Sequence, residues 1–132
     1  MINNKPSEES IRSSLNRLYN INATKQRLKL GSSGAKHEFD LYDAGKLIGG
    51  INTSPWKNKT GSNNTGGQDR VSTELLWLTL WEGYEKRVIV LTDSEMAERI
   101  IARFSGCAFP KKIEIILFDL NRQDFISIGF IP

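Results

Sequence analysis

The stretch 36–53 reads KHEFDLYDAGKLIGGINT, and it predicts a β-hairpin. Its first half alternates between polar and apolar residues, as a strand with one buried face does. The residues Asp43-Ala44-Gly45 are typical of a three-residue hairpin turn, and residues 46–53 are predicted to form the partner strand. Gly49 and Gly50 stand side by side in that second strand. They indicate a bulge or the close approach of another group to the backbone.

Working outward from this hairpin, helices and strands alternate along the chain. Residues 7–20 predict a helix that begins at Ser7 and repeats its apolar positions along one face. A second helix, 68–81, is apolar on nearly all sides, which places it in the core. A third is expected from Thr92 or Asp93 to Gly106. Further strands are predicted at 26–30, 87–91, 113–118 and 125–131.

This order of elements predicts an α/β protein with a central mixed β-sheet flanked by helices, folded as a single domain over 1–132. The antiparallel pairs come early in the chain. The crossover from 87–91 to 113–118 passes through a helix, so those two strands are expected to be parallel.

The residue counts limit the chemistry. A single cysteine excludes an internal disulfide, and a single histidine excludes the histidine-rich zinc and iron sites. A metal site would therefore use oxygen ligands and hold Mg²⁺ or Mn²⁺. No apolar run approaches the roughly 18 residues of a membrane span, and the first residues form no secretory signal. We expect a cytoplasmic protein without a membrane partner.

Positive charge is concentrated near the start of the chain. Residues 1–36 carry seven Lys or Arg against two Glu, whereas the remaining residues are slightly acidic. A basic region of this kind is compatible with DNA or RNA as a partner. A chance imbalance on a solvated surface explains it equally well.

Two acidic residues lie on the first strand of the hairpin. Strict alternation puts Glu38, Asp40 and Tyr42 on one face and His37, Phe39 and Leu41 on the other. Carboxylates at i and i+2 can hold a divalent cation or position a proton. On an exposed edge strand they would instead face solvent. His37, on the apolar face, is interpreted as a core histidine.

Glu74 is the anomaly of the second helix, because its neighbours at i±3 and i±4 are mostly apolar. A buried carboxylate is costly unless it is paired or binds a metal. Arg70, one turn earlier, predicts a structural ion pair with Glu74. The functional alternative is a metal ligand that faces Asp40.

The polar loop 54–67 combines Trp56 with Lys57 and Lys59 and leads into a helix N-terminus. Lysines neutralise phosphates, an exposed tryptophan stacks on bases, and free backbone amides bind anions. A surface loop without function would have a similar composition. Asp93 is expected to cap the third helix, and Ser54 and Cys107 lack any recognisable base beside them.

The order of elements over 7–92 resembles the PD-(D/E)xK, or restriction-endonuclease-like, nuclease superfamily. That family runs helix, three-stranded antiparallel meander, helix and strand, with Asp on the second strand and Glu-x-Lys on the third. The strand that contains Asp40 resembles the Asp-bearing strand. Gly50-Ile51-Asn52 stands where the family has Glu-x-Lys, so the second carboxylate and the lysine are missing there.

The resemblance implies a set of roles. Some members take the second carboxylate from the helix after the third strand, which here implies Glu74, and a lysine could come from Lys57 or Lys59. The implied catalytic residues are Asp40, Glu74 and Lys57, and the implied ligands of Mg²⁺ or Mn²⁺ are Asp40, Glu38 and Glu74. The implied contacts to nucleic acid are Trp56, Lys57, Lys59, Gln68 and Arg70.

Three functions stay open at this point. The first is a divalent-metal-dependent nuclease with a rearranged catalytic motif. The second is a non-catalytic module on the same scaffold that binds nucleic acid or protein. The third is a small interaction protein of a defence or mobile-element system, which would act as a homodimer.

Overall fold

The computed structural model describes residues 7–32 and 34–132 of the chain. Within these residues, helices and strands alternate much as the sequence predicts. The elements, in chain order, are α1 (Glu8–Tyr19), β1 (Thr24–Leu30), β2 (Ala35–Asp43), β3 (Leu47–Asn52), α2 (Thr65–Leu80), β4 (Lys86–Leu91), α3 (Ser94–Phe104), β5 (Ile113–Asp119) and β6 (Asp124–Ile131). No helix in these two ranges is long and apolar enough to cross a membrane.

The strands form one mixed sheet in which neighbours in sequence are neighbours in space, in the order β1-β2-β3-β4-β5-β6. β1, β2 and β3 form an antiparallel meander, β3, β4 and β5 are parallel, and β6 is antiparallel to β5. The predicted α/β class, the early antiparallel pairs and the parallel crossover through α3 are therefore confirmed.

The helices cover the two faces of the sheet and create two hydrophobic clusters. β4 supplies both clusters, because its alternate side chains point to opposite faces. Ile89 and Leu91 pack with Leu75 of α2 and Ile100 of α3. On the other face, Val88 and Val90 pack with Ile11 and Leu15 of α1.

α2 differs from the prediction in two respects. It begins at Thr65 because Asn64 caps it, accepting a hydrogen bond from the Gly67 amide. It also lies on the sheet and is not buried all round. Leu76 and Leu80 are 53% and 48% exposed, so the prediction of a fully buried helix was wrong.

A β-bulge in β2 decides where the acidic side chains go. Gln26 pairs with Phe39 but Thr24 pairs with Tyr42, so β2 has one residue more than β1 between these pairs. Beyond the bulge the alternation is shifted: Phe39 and Tyr42 pack against one cluster and Leu41 against the other. The strict alternation predicted for β2 was therefore wrong after Asp40, because a bulge re-aims the side chains that follow it.

Candidate functional site

A pocket of about 430 Å³ lies between β2, β3 and α2. Residue pairing between β2 and β3 runs from Asp43 opposite Leu47 to Leu41 opposite Gly49, and beyond it the two strands separate. The titratable side chains that line the opening are His37, Glu38, Asp40, Asp69, Arg70 and Glu74. Four of these are acids, so the pocket has a negative charge wherever they are ionised.

Asp40 connects β2 to β3 just beyond the last residue pair of the two strands. Its Oδ2 accepts a hydrogen bond of 2.9 Å from the Ile51 amide, and its carbonyl oxygen accepts one of 2.8 Å from Arg12 Nε. The side chain thus replaces a strand-to-strand hydrogen bond. Burial raises the pKa of Asp40 to about 6, the nearby charges of Glu8 and Glu74 add to this, and the Ile51 amide opposes it.

Glu74 points from α2 into the same pocket. Its Oε2 lies 2.9 Å from His37 Nε2, and its Oε1 is buried without a hydrogen-bond partner in the part of the chain that is described. Burial raises the pKa of Glu74 to about 7. Arg70 donates to Ser54 Oγ at 3.0 Å instead of to Glu74. The ion pair expected from the spacing of Arg70 and Glu74 is therefore not formed.

His37 is part of this pocket and is not enclosed in the core, contrary to its interpretation from sequence. Its ring stacks on Trp77, with centroids 4.7 Å apart and planes 8° apart, and meets Phe39 edge-on. Burial lowers the pKa of His37. Because burial disfavours charge on both His37 and Glu74, a neutral imidazole hydrogen-bonded to a carboxylic acid is favoured over the ion pair of the two groups.

Gly50 explains how Glu74 fits against the sheet. A Cβ at Gly50 would lie 2.7 Å from both Cγ and Oε1 of Glu74. At Gly49, a Cβ would overlap the backbone of Val88 on β4. The close approach to the backbone predicted from the two glycines is confirmed. The side chain of Glu74 occupies the space that a side chain at position 50 would take.

We expect Gly50→Ala to lower the free energy of unfolding by about 2 kcal/mol, because it overpacks the Glu74 side chain. In a Glu74→Ala background the same change should cost less than about 1 kcal/mol, since the overlapping atoms are gone. Urea unfolding of the four proteins measures this. Gly129→Ala is the control, because there the nearest atom is the end of the Ile101 side chain, 3.2 Å away. Additive effects of Gly50→Ala and Glu74→Ala would contradict the packing described here.

Lys25, on β1, brings a positive charge to the edge of the acidic group. Its Nζ lies 3.2 Å from Glu8 Oε1, 3.5 Å from Glu38 Oε1 and 4.0 Å from Asp40 Oδ1. The hydrogen bond to Glu8 and its negative charge raise the pKa of Lys25. Neither Lys25 nor Glu8 was singled out from the sequence, because only the pairing of β1 with β2 and the packing of α1 bring them to Asp40.

The residues predicted in the loop before α2 lie elsewhere. Trp56 is half-buried, and the guanidinium groups of Arg103 and Arg99 lie 5.0 and 6.0 Å from its ring centroid. Gln68 is buried and donates to the Trp56 carbonyl. Lys57 pairs with Asn63 across the loop. Trp56, Lys57, Lys59 and Gln68 are not among the residues that line the pocket, whereas Arg70 is.

Asp93 caps α3, as predicted, by accepting from the Met96 amide. Its Oδ2 also accepts from the Trp56 amide at 2.9 Å. The carboxylate therefore ties the loop before α2 to the start of α3.

The carboxylates of the pocket are too few for a metal site made by the protein alone, but they suit a site that water and substrate oxygens complete. In the ranges 7–32 and 34–132, no group of three or more His, Cys, Asp or Glu side chains is placed to hold a metal ion. Mg²⁺, however, is commonly held by one or two carboxylates, with water and substrate phosphate oxygens completing its shell. Asp40 and Glu74 line one pocket, and Glu74 Oε1 has no other partner among the described residues. They fit a cation shared with substrate, not a preformed protein centre.

The fold and the pocket define an α/β protein with a six-stranded mixed sheet and an acidic cleft between two of its strands and a helix. Comparison with known proteins gave no match: no family model, no curated protein and no solved structure is significantly similar to the chain.

Proposed function

We propose that the chain is a divalent-cation-dependent phosphodiesterase that acts on nucleic acid, of the restriction-endonuclease-like class. The run α1, antiparallel β1-β2-β3, α2 and β4 supports this, because it has the element order of the PD-(D/E)xK family. Asp40 on β2 then corresponds to the family's strand Asp. Its carboxylate lies where β2 and β3 separate, at the mouth of the pocket.

One observation carries the proposal: the side chain of Glu74 fills the place of a side chain at position 50. The family has a glutamate at the position of Gly50, and this chain has a glycine whose missing Cβ would lie 2.7 Å from Glu74 Oε1. A carboxylate supplied by α2 thus lies where a side chain at position 50 would lie, in the lining of the pocket that also contains Asp40. On this proposal, α2 supplies the second acid that the family carries on the third strand.

In this function, Asp40 and Glu74 would hold the cation, which would supply stabilisation of the negative charge that develops on the phosphate. Both carboxyl groups have raised pKa values, so each must lose its proton before it can act as a ligand. Cation affinity should therefore increase with pH up to about 7. Calorimetric titration with Mn²⁺ measures this affinity independently of any cleavage.

Lys25 takes the place of the lysine missing from β3. Its ammonium group lies 4.0 Å from Asp40 Oδ1 and is half exposed, so it can reach a phosphate at the mouth of the pocket. Lys57, the candidate from sequence, lies in the loop before α2 and pairs with Asn63, whereas Lys25 lies beside Asp40.

We expect Lys25→Met to reduce cleavage about tenfold, a modest loss because an exposed charge is screened by solvent. Lys29→Met is the matched control: it removes the same charge four residues along the same strand, whereas it is Lys25 that lies within 4.0 Å of Glu8, Glu38 and Asp40. Initial cleavage rates at saturating cation give the comparison. Equal losses in both variants would mean that Lys25 acts only through general attraction of nucleic acid.

The direct test is incubation of the purified chain with plasmid DNA, single-stranded DNA and RNA in Mg²⁺ or Mn²⁺, with a chelator as the blank. Cation-dependent cleavage supports the proposal. A second function, binding of nucleic acid without cleavage, is favoured by the hydrogen bond that already engages Asp40 with the Ile51 amide. Salt-dependent binding with no cleavage in either cation would replace the proposal by this alternative.

A further inference from the structure

The two edges of the sheet differ in chemistry. β1 is the edge strand on one side, and it is basic: its seven residues include Lys25, Arg27 and Lys29. Charged side chains, lysine above all, are a common means of preventing an edge strand from pairing with another chain. β6, at the opposite edge, carries no charged residue and no proline from Phe125 to Ile131.

β6 also exposes large apolar side chains. Ile126 is 37% exposed and Phe130 is 43% exposed, and no other strand of the described chain lies beyond them. Ile115 pairs with Gly129 and Ile116 with Ser127, so a bulge at Ile128 divides the strand into two short ladders. From Phe125 to Ile131, this bulge takes the place of the charged residues and prolines that commonly protect an edge strand. An apolar edge of this length is suited to pairing with a further strand.

From this edge we infer that the chain forms a homodimer in which β6 pairs antiparallel with β6 of a second copy. The strand has opposite charges at its two ends. Asp124 begins it, with Asp119 and Arg122 nearby. At its far end lies Lys112, whose Nζ is 4.7 Å from the centroid of the Phe130 ring. Antiparallel pairing brings the acidic end of each copy to the basic end of the other.

A second copy fits better than β1 of a neighbouring molecule. Pairing of β6 with β1 would place three basic side chains beside apolar ones, and removing charged groups from water is costly. Pairing of β6 with β1 would also be head-to-tail and would add further copies without limit. Pairing of β6 with β6 is two-fold and produces a closed dimer. The dimer would have one continuous sheet of two copies, with both acidic pockets far from the shared edge, since they lie between β2 and β3.

Sedimentation of the full chain over a range of concentrations tests the inference, and the expected species is a dimer. The double variant Ile126→Lys with Phe130→Lys should raise the dimer Kd roughly a hundredfold, because it places like charges across the pairing. Leu76→Lys with Leu80→Lys is the matched control, with apolar side chains of similar exposure on α2, and it should stay dimeric. A monomeric wild type, or a dimer that the β6 variant leaves unchanged, would overturn the inference.

Exchanging the charges at the two ends of β6 provides a second test of the dimer. This test does not require that the variant Ile126→Lys with Phe130→Lys folds. Asp124→Lys should weaken the dimer; because Oδ1 of Asp124 is buried, the folding of this variant is measured beside its association. Adding Lys112→Asp to Asp124→Lys should restore the association, since the two ends would again attract each other. Failure of the second change to restore it would exclude the antiparallel arrangement. These results do not depend on the proposed cleavage.

Discussion

Asp40→Asn and Glu74→Gln are each expected to reduce cation-dependent cleavage of nucleic acid by at least about a hundredfold, since each removes one of the two carboxylates that we propose as ligands of the cation. Both changes keep the size of the side chain. In Asp40→Asn the side-chain oxygen can still accept from the Ile51 amide, and in Glu74→Gln the new amide can still form a hydrogen bond with His37. The loss would therefore come from the missing negative charge and not from a damaged fold.

Glu98→Gln is the control for this pair. Glu98 is exposed on α3, which does not line the pocket. The Glu98→Gln protein should therefore cleave nucleic acid as fast as the wild type. Rates are compared at several Mn²⁺ concentrations, which separates weak cation binding from slow chemistry. Cleavage that survives in both Asp40→Asn and Glu74→Gln would assign the activity to another site or to a contaminant.

Glu74→Gln is also expected to stabilise the protein above neutral pH, by up to about 3 kcal/mol. The pKa of Glu74 is about 7 in the folded chain against an ordinary value of 4.5. Between these values the folded protein binds more protons than the unfolded one, so its stability falls as the pH rises from about 4.5 to 7. The penalty is complete above about pH 7, where a buried charge has formed, and absent at about pH 4. The uncharged amide in Glu74→Gln does not carry this penalty at any pH.

Urea unfolding at about pH 4, 6 and 8 measures the difference between wild type and Glu74→Gln. The two proteins should be nearly equal at the lowest pH and furthest apart at the highest. Asp40→Asn should show a similar trend at lower pH, because the pKa of Asp40 is raised from 3.8 to about 6. A difference that is the same at every pH would mean that Glu74 titrates normally and is not buried in the way described.

Local signals in the sequence were sufficient for most of the fold. The helix that begins at Ser7 and the cap at Asp93 were predicted because a cap involves only residues within one turn. The hairpin turn at Gly45 was predicted for the same reason, and its φ of 79° lies in the region that favours glycine. The start of α2 was placed too late, because Asn64 is held by the Pro55 carbonyl as well as by its own helix.

The site was predicted only in part. The sequence by itself determined that Asp40 and Glu74 are the unusual acids, since one lies on an alternating strand and the other among apolar neighbours. Only the tertiary structure decided that Glu74 meets His37 and not Arg70, and that Lys25 lies beside Asp40. Periodicity and capping depend on neighbours along the chain, whereas these contacts depend on a bulge and a strand register. They join groups that lie far apart in the sequence, such as His37 and Glu74.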